Sequence, residues 1–153
     1  MAEYKIIIKN KEHIFDSEGD KVKKSVTDLG IKKNVSVRAA HIYEISGNIS
    51  AEKINRICGE MLVDPVAQEF AVNGKRVDKE KSVEVYYKDG VTDTVSETVQ
   101  IGIRDIGIDS PLSVKTGKKY LFAGDVSKTE LKIIAENILS NEVVQRHKVT
   151  HYD

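Results

Sequence analysis

The chain lacks most of what carries chemistry in a small protein. Its 153 residues hold one cysteine, Cys58, and no tryptophan. A lone cysteine excludes an internal disulfide and fits a reducing compartment, so a cytoplasmic location is expected. No apolar run approaches the roughly 20 residues that span a bilayer, so no membrane segment is expected. Met1-Ala2-Glu3 leads straight into a strand-like run, which does not read as a secretory leader. A charge of one sign is missing too: Lys plus Arg and Asp plus Glu number 24 each. That balance argues against a nucleic-acid or anionic-membrane surface.

Catalytic signatures are equally scarce. There is no GxxxxGK[ST], and Gly102 and Gly107 fall in and at the end of a predicted helix rather than in a strand-to-helix loop. CxxC and HExxH are absent. Of the four histidines, His147 and His151 are four apart, a spacing that suits a metal only on a helix. They fall on a predicted strand and tail, so no metal role follows. Cys58 sits among Ile57 and Met61 with no evident base, which favours a small core residue over a nucleophile. No catalytic residue, cofactor ligand or metal ligand is assigned.

What is present is a repeat. With Asp16 over Asp93, an offset of 77 holds without a gap. Gly30 meets Gly107, Tyr43 meets Tyr120, Gly47 meets Gly124, Ser50 meets Ser127, and Gln68 meets Gln145. Cys58 meets Ala135. The period is too long for a solenoid unit and suits two copies of one small α/β unit. A copy of about 70 residues is near the lower limit for independent stability. Two lobes sharing a core are therefore expected.

Each copy reads β-α-β-β-α-β. In the first, Tyr4–Lys9 carries the β-branched run Ile6-Ile7-Ile8 of a buried strand. Asp16 or Ser17 caps a helix striped by Val22, Val26 and Leu29, and Gly30 ends it. Val35–Ala40 and Ile42–Ile45 read as two strands of a hairpin or bent ribbon. Ser50 caps a helix with Ile54, Ile57, Met61 and Leu62 on its apolar face, ended by Asp64-Pro65. Val66–Val72 closes the copy. The second copy repeats this, with Leu112–Thr116 and Lys119–Ala123 as the paired strands and Val143–Val149 as the last. The expected layout is residues 1–72 as the first repeat, 73–81 as linker, 82–149 as the second repeat and 150–153 as tail. The fold class is α+β, a tandem ferredoxin-like duplication with antiparallel strands, helices on one face and a pseudo-two-fold arrangement.

Recurring polar residues are the candidates for function. Asp16 and Asp93 are read as helix caps that satisfy free N–H groups. Tyr43 and Tyr120 either pack their rings or line an interface. Gln68 and Gln145, on the closing strands, either bridge strands or face a partner. These four form the candidate interface: Tyr43, Tyr120, Gln68 and Gln145.

The ordered set of features resembles PurS, the small subunit of phosphoribosylformylglycinamidine (FGAM) synthase, in both copies. The resemblance runs through Ile14-Phe15-Asp16 and Gly90-Val91-Thr92-Asp93, Leu29-Gly30 and Ile106-Gly107, and His41-Ile42-Tyr43 and Lys119-Tyr120. It ends in Leu62-Val63-Asp64-Pro65-Val66-Ala67-Gln68 and Leu139-Ser140-Asn141-Glu142-Val143-Val144-Gln145. The family pattern there is similar to Leu-x-Asn-Pro-Val-Ile-x-x-Tyr. The first copy keeps the proline with Phe70 as the aromatic; the second has Glu142 and His147. The resemblance implies a free-standing double PurS or the amino-terminal region of a fused PurL large subunit. It implies an accessory, non-catalytic role beside a PurL synthetase and a PurQ glutaminase, with homo-oligomers also open. ATP, magnesium and glutamine would be used by the complex, and none bound by this chain.

Two other readings stay open. Tandem β-α-β-β-α-β units also occur in ACT-like small-molecule-sensing regulatory domains, which need a ligand pocket. RNA-binding modules share the topology, but here Tyr86 and Tyr87 lack the surrounding Gly-Phe pattern and a basic face.

Overall fold

A computed structural model describes residues 2–31, 34–75 and 77–152. In chain order the elements are β1 (Ala2–Asn10), α1 (Ser17–Asp28), β2 (Val35–Gly47), α2 (Ala51–Ile57), β3 (Gln68–Val72), β4 (Lys81–Tyr87), α3 (Thr94–Asp105), β5 (Leu112–Gly124), α4 (Lys128–Ile134) and β6 (Gln145–His151). The last turns of α2 and α4 widen into π-helix over Cys58–Leu62 and Ala135–Leu139. Among the described residues the strands form one six-stranded sheet in the order β3-β1-β2-β5-β4-β6. The fold is α+β. Exchanging the equivalent strands of the two copies reverses this order onto itself.

The caps fall where the sequence places them. Asp16 accepts the N–H of Gly19 at 2.9 Å, and Asp93 that of Ser96 at 2.9 Å. The Ser50 hydroxyl accepts from Lys53. Ser127 and Glu130 form a reciprocal capping box at the start of α4. Gly30 and Gly107 end their helices at φ +96° and +89°, the left-handed region open to glycine.

One expectation is corrected. Val35–Ala40 and Ile42–Ile45 are not two strands but the single 13-residue β2, and Leu112–Thr116 and Lys119–Ala123 are the single 13-residue β5. Nothing between Ala40 and Ile42 can turn the chain, because no Gly, Pro, Asn or Asp lies there. Gly117 reads like a turn but lies within the strand. A Cβ there would meet the Val85 carbonyl at 2.7 Å and the Tyr86 ring at 2.8 Å. This glycine admits an aromatic ring, not a bend. Two boundaries also move: β3 starts at Gln68 because 64–67 form a turn, and β6 carries Thr150 and His151, assigned above to the tail.

The long strands change how the chain divides. One compact unit consists of Met1–Ile14, His41–Gly74 and Thr92–Thr116; the other of Phe15–Ala40, Lys75–Val91 and Gly117–Asp153. We call these the first and second units. β2 and β5 each pass from one unit into the other, at Ala40/His41 and Thr116/Gly117. Each unit therefore takes its first-type helix from the other copy: α3 lies in the first unit and α1 in the second. The expected shared core is replaced by two hydrophobic clusters, each built from both copies. In the first unit α2 and α3 cover one side of the strands, burying Ile6, Ile8, Ile45, Ile54, Ile57, Cys58, Val99, Ile103 and Val114. In the second, α1 and α4 bury Val22, Val26, Val35, Val37, Val83, Val85, Tyr120, Phe122, Leu131 and Ile134. Neither repeat could form its cluster without a helix from the other, because burial of the helix stripe supplies most helical stability in a protein.

Candidate interface

The recurring aspartates clasp more than helix ends. Asp16 accepts a second bond from the N–H of Ala39, at 2.7 Å, where β2 passes under α1. Asp93 accepts from the N–H of Thr116 at 2.9 Å, and from the Thr116 hydroxyl at 2.9 Å, on β5. In each unit one carboxylate ties a helix N-terminus to the point where a long strand changes unit. Charge-assisted bonds of this kind are about twice as strong as neutral ones. The structural reading of both aspartates as helix caps holds.

The four candidate interface residues separate into two kinds. The Gln68 side-chain oxygen accepts from the N–H of Asp64 at 3.0 Å, and that of Gln145 from the N–H of Asn141 at 2.8 Å. The carboxylate of Asp64 and the amide of Asn141 accept from Val66 and Val143, at 3.0 and 3.1 Å. Each glutamine therefore fastens a tight loop ahead of the closing strand, and it bridges no strands. Each loop presents one valine to solvent, Val66 at 77% and Val143 at 82% exposure. Tyr120 is buried in the core of the second unit, while Tyr43 is half-buried against that of the first. Burial raises the phenol pKa of both; for Tyr120 the Lys118 ammonium opposes the shift and Glu18 adds to it.

The remaining chemistry candidates are structural. Cys58 is fully buried, and burial pushes its thiol up to about 11, the opposite of an activated nucleophile. His147 Nδ1 lies 2.6 Å from Glu142, and His151 Nε2 lies 3.1 Å from the Val126 carbonyl oxygen. Among the described residues no group of His, Cys, Asp and Glu could hold a metal ion. No helix there is long and apolar enough to cross a membrane.

On the side of the strands away from the helices, the second unit carries a buried polar cluster that sequence reasoning missed. Ser82, Glu84, Lys119 and Thr150 are all buried. Lys119 donates to Glu80 at 3.2 Å and Ser82 donates to Glu80 at 2.8 Å. The Tyr86 hydroxyl donates to Glu84, and the Arg146 guanidinium stacks 4.8 Å from the Tyr86 ring centre. Lys119 and Lys148 flank Glu84 on the neighbouring strands. The only signal in the sequence is the alternation of Ser82, Glu84 and Tyr86 with Val83 and Val85 along β4, and a polar alternation normally means solvent. In the first unit the equivalent positions are Lys5, Ile7 and Lys9 on β1, with a groove of about 310 Å³ lined by Glu3, Lys5, Glu44, Ser46, Asn73 and Lys115 among others.

The geometry is that of two interlocked copies of one small unit, and comparison with known families agrees. A family model described as "PurS: Phosphoribosylformylglycinamidine (FGAM) synthase" matches the chain twice, over residues 3–76 and 80–152. The chain belongs to the PurS family. No curated protein sequence matches it. The boundary between the two PurS matches falls within the segment read as a linker, 73–81, so each match covers one sequence copy. The compact units do not follow that division. PurS membership ties the chain to FGAM synthase and so to purine biosynthesis.

Proposed function

We propose that this tandem PurS chain is a non-catalytic assembly module of FGAM synthase. It brings the PurL synthetase and PurQ glutaminase parts together, so that ammonia released from glutamine reaches formylglycinamide ribonucleotide. ATP, magnesium and glutamine are used by those parts, and this chain binds none of them. The observation that carries the reading is the doubled PurS match. The exchange of α1 and α3 between units supports it: one chain supplies from its own second copy what a single PurS unit would take from a neighbour. Asp16 and Asp93 are held in caps, Cys58 in the core and His147 in a contact with Glu142.

The test is co-sedimentation of the chain with cognate synthetase and glutaminase, with and without glutamine and nucleotide. A ligand-dependent complex containing all three is expected; no complex under any ligand condition contradicts the proposal. The groove of the first unit favours a second reading, a small-molecule sensor, because its wall mixes Lys5 and Lys115 with Glu3 and Glu44. A thermal-shift screen with amino acids and purine nucleotides separates the two, since a sensor gains stability from its ligand without any partner protein.

A further inference from the structure

The two copies carry glutamates at equivalent positions, Glu3 and Glu80, in different surroundings. In the second unit Glu80 accepts from the Ser82 hydroxyl at 2.8 Å and from the Lys119 ammonium at 3.2 Å. That ion pair is nearly closed to water, its side chains 12% and 11% exposed. In the first unit Lys5 and Ile42 hold the positions of Ser82 and Lys119. Ile42 is fully buried and has no group that can bond a carboxylate. Glu3 is exposed, and it lines the groove of about 310 Å³ with Lys5, Glu44, Ser46, Asn73 and Lys115. Among the described residues, Glu3, Glu44 and Lys115 have no ion-pair partner within the chain. The second copy has closed this place with its own side chains; the first leaves its charges facing a cavity.

Three neighbouring strands build the groove. Tyr4, Ile6, Ile45 and Val114 belong to the apolar cluster under the helices. Strand side chains alternate, so Glu3 and Lys5 of β1, Glu44 and Ser46 of β2, and Lys115 of β5 lie on the opposite side. β2 runs between β1 and β5, which sets the Glu44 carboxylate between two strands that each bring a lysine. Asn73 forms part of the wall. Its N–H donates to the Lys5 carbonyl and its side-chain oxygen accepts from the Lys5 N–H, both at 2.8 Å. It holds a left-handed φ of +50°, which asparagine adopts more readily than most residues, and its amide N–H groups remain as donors. Two cations and two carboxylates thus share one concavity. A simple anion gains from the lysines and loses against Glu3 and Glu44; a simple cation does the reverse. A ligand that carries both charges close together gains from both, and the α-ammonium and α-carboxylate of an amino acid are such a pair. The volume is at the low end of small-molecule sites, about 300–1,000 Å³, which selects a small one. In the second copy Leu121 and Ala123 stand for Glu44 and Ser46, so the arrangement is not repeated.

We infer that the groove of the first unit binds a small α-amino acid as its zwitterion, with the ammonium at Glu44 and Glu3 and the carboxylate at Lys5 and Lys115. The inference rests on the same groove as the sensor reading and is independent of the assembly role. Isothermal titration of the full chain with glycine, L-alanine and L-serine tests it. At least one should bind with a Kd below about 5 mM. Its methyl ester, which lacks the carboxylate, and its N-acetyl derivative, which lacks the ammonium, should each bind about tenfold more weakly or worse. Glu44→Gln and Lys115→Met should each weaken binding about tenfold. Lys9→Met, on the same side of β1 but outside the groove, should leave it unchanged. Lys115 and Lys9 are exposed, so those two variants should keep the parent's circular dichroism and melting temperature even if Glu44→Gln does not. No binding of any of the three to about 50 mM overturns the inference. So does an ester or N-acetyl derivative that binds as well as the amino acid, or binding that Lys115→Met leaves intact. A purine nucleotide that binds where no amino acid does also overturns it, yet leaves a sensor. Amino-acid binding that leaves assembly with the cognate synthetase and glutaminase unchanged upholds it and ends the sensor reading.

Discussion

Set side by side, the two units are alike where they are built and unlike where they face outward. Asp16 and Asp93 perform the same clasp, Ser50 and Ser127 the same cap, and Gln68 and Gln145 the same loop fastening. On the face away from the helices, the positions of Lys5, Ile7 and Lys9 in the first copy become Ser82, Glu84 and Tyr86 in the second. At the edges, Glu69 and Ala71 become Arg146 and Lys148. Internal contacts are worth several kcal/mol each and tolerate little change, whereas exposed substitutions stay within about half a kcal/mol. The edge strands can diverge at little such cost, whereas Ser82, Glu84 and Tyr86 are buried, so there the second copy has acquired a hydrogen-bonded polar layer that the first lacks.

The largest effects should come from the shared interior. Ile54 and Leu131 occupy equivalent positions, both fully buried, one in each cluster. Ile54→Ala and Leu131→Ala should each cost about 2–5 kcal/mol in denaturant unfolding. A cost in only one unit would break the equivalence of the two cores.

Next come the clasps. Asp93→Ala removes the acceptor for Ser96 N–H, Thr116 N–H and the Thr116 hydroxyl; Asp16→Ala removes that for two N–H groups. Losses of about 2–4 kcal/mol are expected, larger for Asp93, since bonds to a charged group contribute about 1.5–3 kcal/mol and caps about 1 kcal/mol. Equal melting temperatures for the two variants would argue against the extra hydroxyl bond.

Alkaline pH should distinguish the units by up to about 3 kcal/mol, the equivalent of the raised Cys58 thiol. The Cys58 thiol, in the first unit, is raised by burial from 9.0 to about 11. The unfolded chain loses this proton first, so its contribution is full below pH 9 and lost as pH rises toward 11. Cys58→Ala should flatten the fall in stability between pH 9 and 11. It should not abolish the fall, because the Tyr43 and Tyr120 phenols are also raised by burial, with the same sign. An unchanged slope would show that the thiol titrates normally.

A smaller contrast lies at Gly117 and its equivalent, Ala40. Gly117→Ala should cost about 1–3 kcal/mol, because the new methyl meets the Val85 carbonyl and the Tyr86 ring. A neutral outcome would mean that the ring moves easily and that the buried polar cluster of the second unit is loosely held. The smallest effect is expected from Glu18→Gln, which breaks the 2.7 Å pair with Lys118 at the surface. Such pairs contribute about 0–1 kcal/mol.

Much of this fold was legible in the sequence, and the reasons are local. Caps, helix stripes, stop glycines and the repeat itself depend on neighbours within a few residues or on simple alignment. The continuous β2 and β5 were not legible, because Ala39-Ala40 interrupts the alternation and Gly117 mimics a turn. Once these strands were split in two, the exchange of α1 and α3 could not be seen. Asp16 and Asp93 could be read as caps, but their bonds to Ala39 and Thr116, 23 residues away, depend on the tertiary fold. Gln68 and Gln145 were recognised as recurring, yet only the structure shows them holding Val66 and Val143 outward. The polar cluster around Glu84 was hidden because its residues alternate as a solvent-facing set would.

We propose that the two copies share a scaffold and have diverged to meet different surfaces of FGAM synthase. The most direct measurement uses a chimera in which the second copy is replaced by a duplicate of the first. Its assembly with the cognate synthetase and glutaminase is followed by analytical ultracentrifugation beside the parent chain. The account predicts a chimera that folds, with its helical circular dichroism retained, but assembles poorly. A folded chimera that assembles as fully as the parent would contradict it.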